Sequence, residues 1–312
     1  MNLYYILDGG QSMRIIRFKK EGSTILAAVT DKNQVYELPF SDFIALVKTS
    51  EEKGKSTVAI VEEVISDSLP ITSDFYELEL VTPIDAPEVW AAGVTYEKSK
   101  EARNYEATHG KEPVAETFYD KVYDAKRPEL FLKSTSARTV GPKEDVYLRS
   151  DSNWQIPEPE LGLVIDRNGN ILGYTVGNDM SSRDIEGENP LYLPQAKVWK
   201  RSCSIGPAIR LVETVENPYQ FEITCRIYRH DEKVFEGSAS TSQLKRTYEE
   251  LVSYLTRDNE IFDGTVLLTG TCIVPPNEFT LNNDDHIEIE ISGIGVLENT
   301  AKEQVSNSIS NR

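Results

Sequence analysis

The chain has little with which to do sulfur or imidazole chemistry. Its 312 residues include three cysteines and three histidines. Cys203, Cys225 and Cys272 stand far apart with no CxxC pair, a pattern that suits neither a disulfide framework nor a thiolate zinc cage. Buried thiols in a reducing compartment are the expectation. His109, His230 and His286 form no ligand motif. No stretch approaches the roughly 18 uninterrupted apolar residues of a membrane helix. The opening MNLYYILDGGQSMR does not join a basic start to a long apolar run, as an export signal does. These absences predict a cytoplasmic protein with no membrane partner. Positive charge is also scarce: 33 Lys and Arg against 51 Asp and Glu leave a formal charge of −18. That field repels phosphodiester backbones, which argues against nucleic acid as a partner. A site for an anionic small molecule would need local positive charge from a metal, Lys or Arg.

What is present is ordinary globular material, 39% hydrophobic and 27% charged. Short β-rich runs at Ile15 to Phe18, Ile25 to Val29 and Val35 to Leu38, then helix-like segments from Ser41 and about Thr57, predict a small N-terminal α+β domain over residues 1–82. The proline-bearing segment from Val81 to Glu88 marks the expected boundary. Residues 96–125 are rich in Glu, Lys and Ala and read as a covering segment. Beyond Leu130, β-rich runs dominate (Leu130 to Lys133, Leu161 to Ile165, Ile171 to Val176, Phe221 to Tyr228, Thr265 to Thr269, His286 to Ile291), which predicts a mainly β domain over 83–299. One helix interrupts it, with Leu244, Tyr248, Leu251 and Leu255 on its apolar face. Residues 300–312 read as a polar tail. The fold class expected is therefore α+β, mainly β.

The most informative stretch is PEPELGLVIDRNGNILGYTVGNDMSSRD from Pro157. Asn168-Gly169 predicts a two-residue type I′ hairpin, since both central positions of that turn need positive φ. If Arg167 pairs with Asn170, then Ile165 faces Leu172, Leu163 faces Tyr174, Leu161 faces Val176 and Glu158 faces Asp179. Paired residues share a side of the sheet, and alternation puts Glu160 on that side too. Three carboxylates then converge at one end of a face that continues with Gly162, Gly173, Thr175 and Gly177, and that face is expected to be roomy. Like charges about 4 Å apart repel by roughly 4 kcal/mol at an effective dielectric near 20. A divalent cation resolves the conflict, and an all-oxygen set suits Mg²⁺, with Mn²⁺ or Ca²⁺ as alternatives.

These residues resemble the fumarylacetoacetate hydrolase family. The ExE pair is Glu158-Pro-Glu160, followed by Gly173-Tyr-Thr, Asn178-Asp179-Met-Ser-Ser-Arg183-Asp184, Lys197 in Gln-Ala-Lys, and Thr269-Gly-Thr271. The resemblance spans roughly residues 83–298 and implies a mixed β-sandwich roll with a small N-terminal domain. It also implies Glu158, Glu160 and Asp179 as metal ligands, and a homo-oligomer, dimer or tetramer. Family hydrolases carry a His held by a Glu that activates water; here Ser99 and Ala102 take those places. Without that base hydrolysis is handicapped by about a hundredfold to ten-thousandfold, whereas elimination needs no water nucleophile. Together with Tyr123-Asp-Ala-Lys-Arg-Pro-Glu129-Leu-Phe-Leu-Lys133 and Glu188-Asn-Pro-Leu-Tyr-Leu-Pro-Gln-Ala-Lys197, this resembles a dehydratase branch of the family. That branch implies a hydro-lyase of pentose catabolism, taking a small 2-oxo-3-deoxy sugar acid to 2,5-dioxopentanoate. Glu129 and Lys197 are the implied acid and base, in either order. Thr271 either binds the substrate carboxylate or caps a turn, and Tyr96 and Arg183 are further substrate-binding candidates. His109, in the covering segment, is the candidate replacement base. The rival readings are an acylpyruvate or fumarylacetoacetate-type C–C hydrolase and a non-catalytic scaffold of the same fold.

Overall fold

The computed structural model of the chain describes residues 12–108, 110 and 117–304. Two sheets dominate it. The larger has ten strands. Nine run in the spatial order Val35–Glu37, Ser23–Val29, Arg14–Lys20, Cys203–Leu211, Ile171–Asp179, Pro159–Ile165, Thr265–Leu268, Glu88–Gly93 and Glu129–Thr135, and Thr139–Val140 pairs beside Cys203–Leu211. The smaller sheet runs Glu232–Ser240, Glu222–Arg229, His286–Ile291, Gly295–Glu303 and Asp145–Leu148. The architecture is strand-dominated, as the sequence predicts.

Alternation explains the second sheet. Ile287, Ile289 and Ile291 point inward from one strand, Ile223, Cys225 and Ile227 from its neighbour, and all six join one core cluster. The hairpin of Pro159–Ile165 and Ile171–Asp179 sits mid-sheet with apolar material on both faces. Leu161, Leu163, Ile165, Tyr174 and Val176 enter the first core. Val164 and Leu172 enter a second one, completed by Ile205, Ile209, Val266, Leu268 and the helices Phe43–Lys53 and Thr57–Ile65. Those helices start where their caps say they should: Asp42 Oδ1 accepts from Ala45 N at 2.8 Å, and Ser56 Oγ from Ala59 N at 3.1 Å.

Several expectations are corrected. The glycine face of the hairpin is not roomy. A Cβ built on Gly177 would lie 2.3 Å from Leu268 Cδ2, and one on Gly173 would lie 2.5 Å from Ile209 Cγ2. The glycines admit large side chains from neighbouring strands. The turn is not type I′ either, because Gly169 has φ 81° but Asn168 has no positive φ. Asp166 N donates to Asn170 O at 3.0 Å, while the Asp166 carboxylate takes the N–H groups of Asn168 and Asn170, each at 2.8 Å. This three-residue loop pairs Ile165 with Ile171 instead of Leu172, and a bulge before Gly173 absorbs the difference. From there Tyr174 faces Leu163 and Val176 faces Leu161, as predicted.

The expected boundary at residue 82 does not interrupt the sheet: Arg14–Lys20 pairs with Cys203–Leu211, so the N-terminal strands extend the sheet that holds the hairpin. Nor does a tail begin at 300, since Gly295–Glu303 is a strand whose last four residues pair with Asp145–Leu148. Leu244 precedes its helix, which runs Tyr248–Leu255. The strands Glu88–Gly93, Cys203–Leu211 and Glu232–Ser240 were not anticipated.

Because Gly177 and Leu268 are in such close contact, Gly177→Ala should cost about 1–3 kcal/mol in urea unfolding, and the same substitution should cost less in a Leu268→Ala background. An alanine tolerated without cost would show that the two strands are free to separate.

Candidate metal centre and active site

Glu158, Glu160 and Asp179 stand at the end of the hairpin away from its turn. Asp179 N donates to Glu158 O at 3.0 Å, and Asn178 Oδ1 accepts from Glu158 N at 3.2 Å. Glu158 is thereby held opposite Asp179 although it stands just outside the strand. One carboxylate oxygen from each of the three acids falls within 4.8 Å of the others. All three residues are at most 3% exposed.

The third wall comes from Thr269-Gly270-Thr271. Gly270 N donates to Glu160 Oε2 at 2.6 Å from a backbone with φ 101°, where a Cβ would lie 1.9 Å from Thr95 Oγ1. Only glycine fits there. Thr269 Oγ1 donates to Leu161 O and Thr95 Oγ1 to Thr269 O, so the loop is fixed on both sides.

Buried acids need buried cations. Lys197 Nζ bridges Glu158 Oε2 and Asp179 Oδ2, the latter at 3.2 Å. Lys133 Nζ lies 2.7 Å from Asp179 Oδ1 and also donates to the carbonyls of Met180 and Lys197. Arg183 Nη2 lies 3.0 Å from Glu158 Oε1, and its Nη1 pairs with Glu106. Arg103 pairs with Glu186, whose other oxygen accepts from Ser181 Oγ at 3.2 Å. The helix Glu97–Thr108 is thus tied by Arg103 and Glu106 to the helix Arg183–Glu188.

The charges perturb one another. Burial raises the Glu158 carboxyl to about 7 against the nearby Lys197. Burial, then Asp179 and Glu158, raise Glu160 well above the usual range. Asp179 moves down, since Lys133 and Lys197 together outweigh its burial. Burial lowers Arg183 to about 9. Burial lowers Lys197, but Asp179 and Glu158 outweigh that, and its net shift is upward.

A cleft of about 10 Å³, room for about one water, is lined by residues including Gly93, Ser99, Arg103, Phe131, Lys197 and Thr271 along with the three acids. Glu129 stands opposite Gly93 in the sheet and lies across it, where a Cβ on Gly93 would be 2.1 Å from Glu129 Oε2. That oxygen is buried without a hydrogen-bond partner, and burial raises the carboxyl despite Arg103.

Of the residues expected from sequence, Glu129, Lys197 and Thr271 are brought to the three acids. Thr271 Oγ1 also donates to Ile273 O at 3.1 Å, a turn-capping bond. Tyr96 is buried in the first core, its hydroxyl without a partner. Arg183 is engaged with Glu158 and Glu106 and is not among the residues that line the cleft. Ser99 Oγ donates to Tyr96 O at 2.7 Å and supplies no base; His109 lies outside the described residues. Lys133, Arg103, Glu106 and Glu186 were missed as site residues, because a charged residue buried by distant partners has no local signature. A second metal-capable group, His286 with Glu288 and Glu298, is partly exposed, and Arg226 Nη1 already lies 3.9 Å from Glu288.

The chain belongs to the fumarylacetoacetate hydrolase family: residues 88–302 match the model of that family's C-terminal domain. It is 43% identical over 288 residues to the 2-dehydro-3-deoxy-D-arabinonate dehydratase of Saccharolobus solfataricus, covering 91% of this chain and 95% of the relative. It is 44% identical over 284 residues to a probable 2-keto-3-deoxyxylonate dehydratase of Haloferax volcanii, covering 89% and 96%. A solved structure of 2-keto-3-deoxy-D-arabinonate dehydratase complexed with magnesium and 2,5-dioxopentanoate superposes with a TM-score of 0.80 at 39% identity, covering 93% of this chain and 99% of that one.

The raised Glu158 carboxyl sets a pH dependence. Below its ordinary value of 4.5 it is protonated both folded and unfolded. Between 4.5 and about 7 the unfolded chain loses that proton while the folded chain keeps it, so stability falls as pH rises through this window and is flat above it. In chelator-treated protein, wild type should lose on the order of 3 kcal/mol relative to Glu158→Gln across that window. Parallel stability curves for the two proteins would refute the assignment.

Proposed function

We propose that this protein is a metal-dependent hydro-lyase that converts 2-keto-3-deoxy-D-arabinonate, or a stereoisomer of it, to 2,5-dioxopentanoate in pentose catabolism. The observation that carries this reading is the buried three-carboxylate cluster beside Lys197 and Glu129 in a cleft whose lining, among the described residues, includes no histidine. Two relatives that share the chain along nearly its whole length, at 43% and 44% identity, are named as dehydratases of that substrate class.

The donor set fits a hard divalent cation. Three buried carboxylates offer oxygen only, and together with Glu106, Glu129 and Glu186 they outnumber the cations Arg103, Lys133, Arg183 and Lys197 that face them. Glu158, Glu160 and Asp179 would hold magnesium. When bound, magnesium supplies Lewis-acid polarisation of the substrate's 2-oxo group, which acidifies the C3 hydrogens. The rest falls to side chains of the chain itself. Glu129, raised by burial and with an unpartnered oxygen over Gly93, is suited to give its proton to the departing C4 hydroxyl. Lys197 is then left to take the C3 proton, which it cannot do while Glu158 and Asp179 hold it as an ammonium. Loss of the C3 proton and the C4 hydroxyl releases one water. Moving a proton from C5 to C3 then gives the C4=C5 enol, and protonation of C4 with loss of the C5 hydroxyl proton turns that enol into the aldehyde.

Purified protein with Mg²⁺ should convert 2-keto-3-deoxy-D-arabinonate to the semialdehyde and leave an acylpyruvate intact, and Glu160→Gln should abolish turnover. Pyruvate formed from the acylpyruvate alone would replace this reading with C–C hydrolysis. Silence on both substrates would favour a non-catalytic role.

A further inference from the structure

The carboxylate oxygens of the cluster divide into two sets. The outer ones have partners of their own. Glu158 Oε1 is held by Arg183 at 3.0 Å, Asp179 Oδ1 by Lys133 at 2.7 Å, and Glu160 Oε2 by Gly270 N at 2.6 Å. The inner oxygens of Glu158 and Asp179, Oε2 and Oδ2, both turn to one atom, Lys197 Nζ. Its ammonium therefore stands between two of the three acids that would ligate a divalent cation. The cleft has a volume of about 10 Å³, room for about one water, which leaves no space for the ammonium and a hydrated ion together. A magnesium ligand sits at about 2.0 to 2.1 Å from the ion, so the two cations would compete for the same lone pairs.

We propose that Lys197 holds the cation's place between Glu158 and Asp179 and withdraws from it when a divalent ion binds, so that loading the metal is what delivers Lys197 to the substrate. This rests on the metal-dependent reading above. The movement is confined to the side chain, because the main chain of Lys197 is fixed: its carbonyl accepts from Lys133 Nζ and from Ser202 Oγ, the latter at 3.1 Å. A resting place is at hand. Lys197 Nζ already lies 5.7 Å from the ring centroid of Phe131, which lines the same cleft, and an aromatic face holds an ammonium by cation–π attraction. The device keeps the acids balanced before loading. It also leaves the proton-transfer group engaged until the ion arrives.

The test is calorimetric titration of chelator-stripped protein with magnesium chloride, comparing wild type with Lys197→Met and checking the fold of each by circular dichroism. Removing the competitor should tighten magnesium binding by about tenfold or more, since two ligands that exclude each other weaken each other reciprocally. Equal or weaker binding by folded Lys197→Met overturns the proposal. Absence of magnesium binding in both proteins overturns the metal-dependent reading itself, a distinct result. A crystal structure of the magnesium-loaded wild type separates direct competition from mere charge repulsion. Nζ should be beyond hydrogen-bond distance of Glu158 Oε2 or Asp179 Oδ2 and turned toward Phe131. Nζ bonded to both oxygens beside a bound ion would also overturn the proposal.

Discussion

Everything around the cleft follows from burying three carboxylates within reach of one another. Such a cluster persists only with compensating charge, and here compensation comes from several elements: Lys133 from the edge strand Glu129–Thr135, Lys197 from the short helix Leu193–Lys197, and Arg183 from the start of another helix. Arg183 in turn engages Glu106, while Arg103 engages Glu186, so the charge balance of the cluster is also what fastens the helix Glu97–Thr108 over it. Counted together, Glu106, Glu129, Glu158, Glu160, Asp179 and Glu186 face Arg103, Lys133, Arg183 and Lys197. Acids outnumber bases by two, and that deficit can be met by protons or by one divalent cation. The upward shifts of Glu129, Glu158 and Glu160 are the proton solution.

The sequence disclosed the part of this site that depends on short-range rules. Alternation and a turn signal were enough to bring Glu158 opposite Asp179 and Glu160 onto the same face. The turn type was misread, because Asp166 offers its carboxylate to two backbone N–H groups and stabilises a longer loop than the Asn-Gly pair alone suggests. The forecast survived because a bulge at Leu172 restores the register before the acids are reached. The packing of the glycine face could not be read the same way. It depends on Leu268 and Ile209, whose strands lie far from the hairpin in sequence.

Long-range placement was the harder part. Glu88–Gly93 was missed because both its faces are covered, so no alternation marks it; Glu232–Ser240 was missed because it is polar along an outer edge. The N-terminal strands were assigned to a separate domain on proline content, yet hydrogen bonding of Arg14–Lys20 to Cys203–Leu211 makes them part of the sheet that carries the site. Lys133 shows the limit most clearly. It lies in a run quoted for its resemblance, but its importance comes from Asp179, Met180 and Lys197, each remote in sequence and brought together only by the fold.

The position of Ser99 connects the architecture to the choice of reaction. A hydrolase on this scaffold has to admit water to the reacting carbon and deprotonate it there. In this chain the corresponding hydroxyl is spent on the carbonyl of Tyr96, at the start of the helix that covers the cleft. The next residue of that helix to line the cleft is Arg103, a cation bound to Glu186. The covering helix therefore brings charge compensation to the site in place of a base, and it helps reduce the free space to about 10 Å³. Such a site is poorly built to activate a second reactant. The proposed reading asks it instead to hold one anionic molecule against a cation while protons move between that molecule, Glu129 and Lys197, which is all that loss of water requires.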